Sequence, residues 1–237
     1  TKISTPAIKR IDEFCLDVIG NRKKIVFWDT CALLDVIRFP RDYMFHSLAN
    51  LNKVHDEITS ERIYSVASEV SIVEFNDHES STITEIKQVI QNNSEKYNSI
   101  IQTINFFTSA HLTYSHINTI SYNLERYFIG IIDDIIQKTI FIQKDEIAPV
   151  WLDRIVNNKT PLKRKGEFKD AAIWSTCIAL AYKIEASSEP ENVIFFSSNV
   201  NDYYQVGTRL LSRDILTECT SYNISFAINI DEVADNI

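Results

Sequence analysis

Among the 32 acidic residues of this 237-residue chain, a few stand where carboxylates do chemistry. Asp29 comes directly after the apolar run KIVFW at residues 24–28. Glu74 falls about a turn and a half of helix beyond Ser68, a side chain suited to capping. Asp170 opens the run AAIWSTCIALAY, which places it in the first turn of a buried helix, where the backbone dipole favours a carboxylate. Asn199 and Asp202 follow VIFFSS at residues 193–198. Oxygen-rich side chains cannot crowd together without a counter-charge, and hard divalent cations such as Mg²⁺ or Mn²⁺ supply it. A site of that kind lowers the pKa of a water and clamps a phosphoryl group during in-line displacement. Each acid taken singly is more often a solvated side chain or a helix cap. Their joint placement carries the reading.

That placement depends on the elements. Four segments read as strands: residues 24–28, 63–67 (IYSVA), 193–198 and 224–230 (ISFAINI). Between them lie long helical patterns, and alternating strand and helix with strands apolar on both faces predicts a parallel α/β sheet covered by helices. In such sheets ligands bind beyond the carboxyl ends of the strands, where Asp29, Asn199 and Asp202 fall. Residues 82–159 show no convincing strand. Stripes such as Ile83, Ile86, Val89 and Ile90, or Ile131, Ile132, Ile135 and Ile136, mark helices there. With no Gly/Ser-rich linker and no repeat, the expectation is a single domain over 1–237, with a mainly helical insertion at about 82–159.

Composition narrows the function. A net charge of −8 argues against nucleic-acid binding through bulk positive charge, though not against an acidic cleft with a local basic patch. The basic run Lys163, Arg164 and Lys165, with Lys169 beside Asp170, is the candidate contact to substrate phosphates, or else a solvated loop. Four separated cysteines without a C-x-x-C pair suit reduced thiols. No apolar run spans a membrane, and residues 1–10 lack signal-peptide features, so a cytoplasmic protein with no membrane partner is expected. The five histidines form no zinc-binding spacing, and the four isolated glycines form no phosphate loop. Aromatic residues over 105–128 could stack bases, but at helical spacing they suit a core or an oligomer surface better.

In order along the chain, VFWDTCALLDVIR, SVASEVSIVEF, KGEFKDAAIW and FFSSNVNDYY resemble the four motifs of PIN domains, the PilT N-terminal-like nucleases. The matches are Asp29-Thr30 after a strand, Glu74 in the next motif, Lys169-Asp170-Ala171 at a helix start, and Ser197 to Tyr203 in the last. The signature around Lys169 looks most like an uncharacterised bacterial PIN-like group. The resemblance implies a three-layer α/β/α fold, with a central parallel sheet of about four or five strands. It implies a metal-dependent nuclease acting mostly on RNA, with Mg²⁺ or Mn²⁺ held by Asp29, Glu74, Asp170, Asp202 and Asn199. Two departures are visible: Asn199 is neutral where many active members have Asp, and Trp28 is bulky where an aliphatic residue is usual.

The expectation is therefore an endoribonuclease, of the toxin or defence-effector kind, in which Asp29, Glu74, Asp170 and Asp202 are catalytic. Thr30 caps the helix after Asp29 and orients that carboxylate, or is a plain cap. Ser197 orients water or ligands, or forms a turn. The competing readings are a catalytically impaired PIN-fold module that binds RNA or protein, and a structure-directed DNA nuclease. A phosphatase using an Asp after its first strand needs a second Asp two residues on, where this chain has Cys31. Single-stranded RNA is the expected partner, with a homodimer or an inhibitor protein as the partners suggested by analogy.

Overall fold

Residues 25–28 carry no polar side chain because the strand they form is covered on both faces, all four being buried. The structure, a computed structural model, describes residues 7–18, 21, 23–42, 45–108, 124–162, 168–185 and 193–237. Its first third contains β1 (Ala7–Lys9), α1 (Ile11–Val18), β2 (Ile25–Trp28), α2 (Thr30–Asp42), α3 (Phe45–Thr59) and β3 (Tyr64–Ser68). Next come α4 (Glu69–Phe107), α5 (Leu124–Lys138), β4 (Ile140–Ile142), a 3₁₀ turn (Lys144–Ile147) and α6 (Ala148–Val156). The chain closes with α7 (Phe168–Glu185), β5 (Val193–Phe196), α8 (Val200–Tyr203), α9 (Arg213–Ser221), β6 (Ile224–Ala227) and α10 (Ile230–Asn236).

The six strands form one sheet in the order β1-β4-β3-β2-β5-β6, with every pairing parallel. Alternation sorts the side chains of β2 and β5 between two cores. Val26, Trp28, Ile194 and Phe196 face the layer that contains α2, α3, α5 and α10. Ile25, Phe27, Val193 and Phe195 face α1 and α7. The fold is thus three layers, α/β/α, as expected, with six strands rather than four or five.

Two strands escaped the sequence reading. β1 and β4 have three residues each, too few to display a period of two. β4 also lies inside the stretch read as free of strands. It follows α5 directly, so that the stripe Ile131, Ile132, Ile135 and Ile136, all buried, runs almost into the strand. The same stretch contains most of α4, a helix of 39 residues capped by Ser68, whose hydroxyl accepts from the Val70 amide. Its buried positions end at Ile90.

The bulk of Trp28 has a structural partner. Its indole N–H donates to Ser65 Oγ at 2.9 Å, Ser65 shares a 2.7 Å hydrogen bond with Thr139 Oγ1, and Thr139 donates to the Ile135 carbonyl. A buried indole needs such an acceptor. Ser65→Ala is expected to cost about 1–3 kcal/mol by orphaning that N–H. The loss would appear as a lower urea midpoint at unchanged m-value.

Candidate active site

The register of the central strands determines what meets at their carboxyl ends. Trp28 lies level with Ala67 on β3 and with Phe196 on β5. The next residues, Ser68, Asp29 and Ser197, therefore emerge side by side, and the Asp29 amide donates to the Phe196 carbonyl at 3.0 Å. Glu74 then arrives from α4, Asp170 from the first turn of α7, and Asn199 and Asp202 from the segment after β5.

Asp29 is buried, and two hydrogen-bonded arms leave it. On one side, Thr30 N–H donates to Asp29 Oδ1 at 2.7 Å, and the Thr30 hydroxyl donates to Glu74 Oε2 at 2.8 Å. Glu74 Oε1 in turn meets Lys169 Nζ at 3.4 Å, next in sequence to Asp170. On the other side, Ser197 Oγ donates to Asp29 Oδ2 at 2.6 Å and accepts from the Asn199 amide at 3.2 Å. The Asn199 side-chain amide donates to Asp202 Oδ2 at 2.6 Å. Three acids are thus connected through Asp29 by short polar side chains. The Thr30 hydroxyl therefore bridges to Glu74, and only the Thr30 backbone amide serves Asp29.

Burial pushes the Asp29 carboxyl above its ordinary range, and the nearby Glu74 charge adds to this. The hydrogen bonds from Ser197, Cys31 and Thr30 pull the other way. The Cys31 thiol, 3.1 Å from Asp29 Oδ2, is itself held well above its ordinary value, by burial and then by the Asp29 charge, so it stays protonated and donates. Beneath them the Tyr203 hydroxyl is fully buried with no hydrogen-bond partner among the described residues. Burial, and then the negative charges of Asp29 and Asp170, keep it protonated.

This donor set fits a hard divalent cation in its chemistry: carboxylate and amide oxygens, with a desolvated carboxylate among them. Among the described residues, however, no three His, Cys, Asp or Glu side chains stand at ligand spacing. Of the basic groups assigned to phosphate contact, Lys169 is half exposed and pairs with Glu74. Lys163, Arg164 and Lys165 lie outside the described residues.

The sequence reading passed over Asp35. It lies on α2 one turn beyond Cys31, with Arg38 a further turn on, and Cys31 and Asp35 line the same cleft. Burial pushes the Asp35 carboxyl above its ordinary range, while a hydrogen bond from Ser198 opposes the shift. The available signal was the i, i+4, i+7 spacing of polar residues in the otherwise apolar TCALLDVIR.

The parallel α/β/α sheet with acids at its carboxyl edge is the architecture of the family to which the chain is matched, one whose members have a nuclease-like fold generally dependent on a divalent metal. A family model described as PIN domain matches residues 26–203, and the chain belongs to that family. Comparison with curated proteins and with solved structures gives no match. Among the described residues no helix is long and apolar enough to cross a membrane.

Proposed function

We propose that the protein is a metal-dependent endoribonuclease that hydrolyses phosphodiester bonds in single-stranded RNA, in the cytoplasm. The observation that carries the reading is the pair of hydrogen-bonded arms joining Asp29 to Glu74 and to Asp202, with Lys169 closing on Glu74. Asp29, Glu74, Asp170 and Asp202, with Asn199, are the groups that would hold Mg²⁺ or Mn²⁺. Such a cation, when bound, supplies Lewis acidity toward the phosphate and toward the attacking water. The side chains do the rest. Thr30 and Ser197 fix the rotamer of Asp29, so the buried carboxylate presents one orientation. The Asn199 side-chain amide holds Asp202, and Lys169 balances Glu74 while standing exposed enough to reach a substrate phosphate. RNA is favoured over DNA by the family resemblance. We further take residues 82–159 as an elaboration of the same unit, since β4 and α5 join the central sheet and core.

The test is cleavage of end-labelled single-stranded RNA and a matched DNA strand in Mg²⁺, Mn²⁺ or EDTA, with Asp170→Asn alongside. Cleavage confined to the metal-containing reactions, and lowered about 10²-fold or more in the variant, is expected. No cleavage, together with no metal-induced rise in melting temperature, would overturn the catalytic reading. A PIN-fold binding module would then remain, the reading favoured by the neutral Asn199 and by the Glu74–Lys169 pair.

A further inference from the structure

Beside the acids, between α2 and the segments that follow β5 and β6, lies a cleft of about 610 Å³, within the roughly 300–1,000 Å³ of small-molecule sites. It is continuous with the site already described, because Cys31 and Asn199 line it while hydrogen-bonded to Asp29 and Asp202. One wall is apolar, with Val36, Phe39 and Ile230. The other holds Asp35, Arg38 and Arg41 from successive turns of α2.

Of these, the Arg38 charge is loosely tied. Arg38 has carboxylate oxygens of Asp35 and Glu85 each at 3.6 Å, beyond good hydrogen-bonding distance, and its Nε is buried with no hydrogen-bond partner among the described residues. Arg41 meets Glu85 at 3.5 Å. The Arg38 guanidinium, held at such distances, can turn to a phosphate bidentately with little lost. Asp35 offers the complementary chemistry: a carboxylate accepts two parallel N–H donors, and only guanine presents two side by side on its Watson–Crick edge. An apolar wall suits the face of a base.

We propose that this cleft is a nucleobase pocket that takes one unstacked guanine nucleotide of the strand, its base edge on Asp35 and its phosphate on Arg38. The inference rests on the nuclease reading and adds a base preference to it: the strand is cut beside guanine.

The test is direct binding of the four nucleoside monophosphates, as 5′ and as 3′ phosphates, to the full chain in EDTA by calorimetry, with Asp35→Asn and Arg38→Gln in parallel. Guanosine monophosphate should bind about 10-fold more tightly than the others, and Asp35→Asn should erase that preference. Arg38→Gln should weaken all four to a similar extent, since phosphate contacts carry no base information. No binding at millimolar nucleotide, or a base preference unchanged in Asp35→Asn, overturns the pocket. Because the readout needs neither metal nor turnover, guanine-selective binding by a protein that cuts nothing would sustain the pocket and sink the nuclease. Cleavage with no base preference and no mononucleotide binding would do the reverse.

Discussion

Asp29→Asn is expected to abolish cleavage and, in the same preparation, to raise the thermal stability of the metal-free protein. The first half follows from position: Asp29 is the junction of both arms, and losing its charge removes several kcal/mol of electrostatic stabilisation, about 10²–10³-fold in rate. The second half follows from burial. The carboxyl is pushed above its ordinary value of 3.8, first by desolvation and further by Glu74. Below that value the acid is protonated in both folded and unfolded chains and has no effect on stability. As pH rises, the unfolded chain ionises first, so stability falls until the folded carboxyl has ionised too, and then levels off. The amide variant lacks that decline. It also fits the site, because its oxygen can accept from Thr30 N–H while its NH₂ faces Ser197 Oγ and Cys31 Sγ, both of which can accept.

The variant should therefore melt a few degrees higher, about 2–4 °C at neutral pH in EDTA, with the difference closing toward pH 4. Adding Mn²⁺ should raise the melting temperature of the unmodified protein and leave Asp29→Asn nearly unmoved. Calorimetric scans between pH 4 and 8, with and without the cation, decide it. A variant less stable than its parent across that range would mean that Asp29 holds the fold together rather than being held by it.

The acids at strand ends were legible because apolar runs of four or five residues and the residue after each can be read without tertiary information. Asp29, Ser197, Asn199 and Asp202 come straight from that pattern, and Asp170 from the apolar run behind it. Three-residue strands have no such signature, so β1 and β4 emerge only when neighbouring strands supply their hydrogen bonds. The Thr30–Glu74 contact was hidden for a different reason: it joins residues 44 positions apart, and a Thr at a helix start reads as a cap wherever it occurs. Asp35 was hidden in plain view, as a charge inside a helix that looked core-facing. Nothing in the local sequence marks Arg154 as buried, since a lone Arg in an amphipathic helix ordinarily points to water.

Yet Arg154 is 1% exposed, and removing it is expected to cause the largest stability loss of any single substitution considered. Its Nη1 donates to the Thr160 carbonyl at 2.8 Å, its Nη2 forms an ion pair with Glu218, and Glu218 also accepts from Trp174 Nε1 at 2.8 Å. One side chain on α6 thereby ties the segment after it to α7 and α9. Each of the two charges, largely withdrawn from water, has the other as its counter-charge, so deleting one leaves the other uncompensated, at about 3 kcal/mol or somewhat more. For a chain of this size that is a fall of about 6–12 °C in melting temperature.

Arg154→Met should show the full loss, because methionine fills much of the volume but leaves the Glu218 charge unpaired and the Thr160 carbonyl without its donor. Glu218→Gln should be costly too, since it strands the guanidinium. The pair Arg154→Met with Glu218→Gln removes both charges while glutamine still accepts from Trp174. It should therefore lose clearly less than the sum of the single losses, with a coupling of at least about 1 kcal/mol. Urea denaturation of all four proteins measures it. Strictly additive losses would show that the two side chains stabilise the fold independently, and that Arg154 is buried for its hydrocarbon stem rather than for its charge.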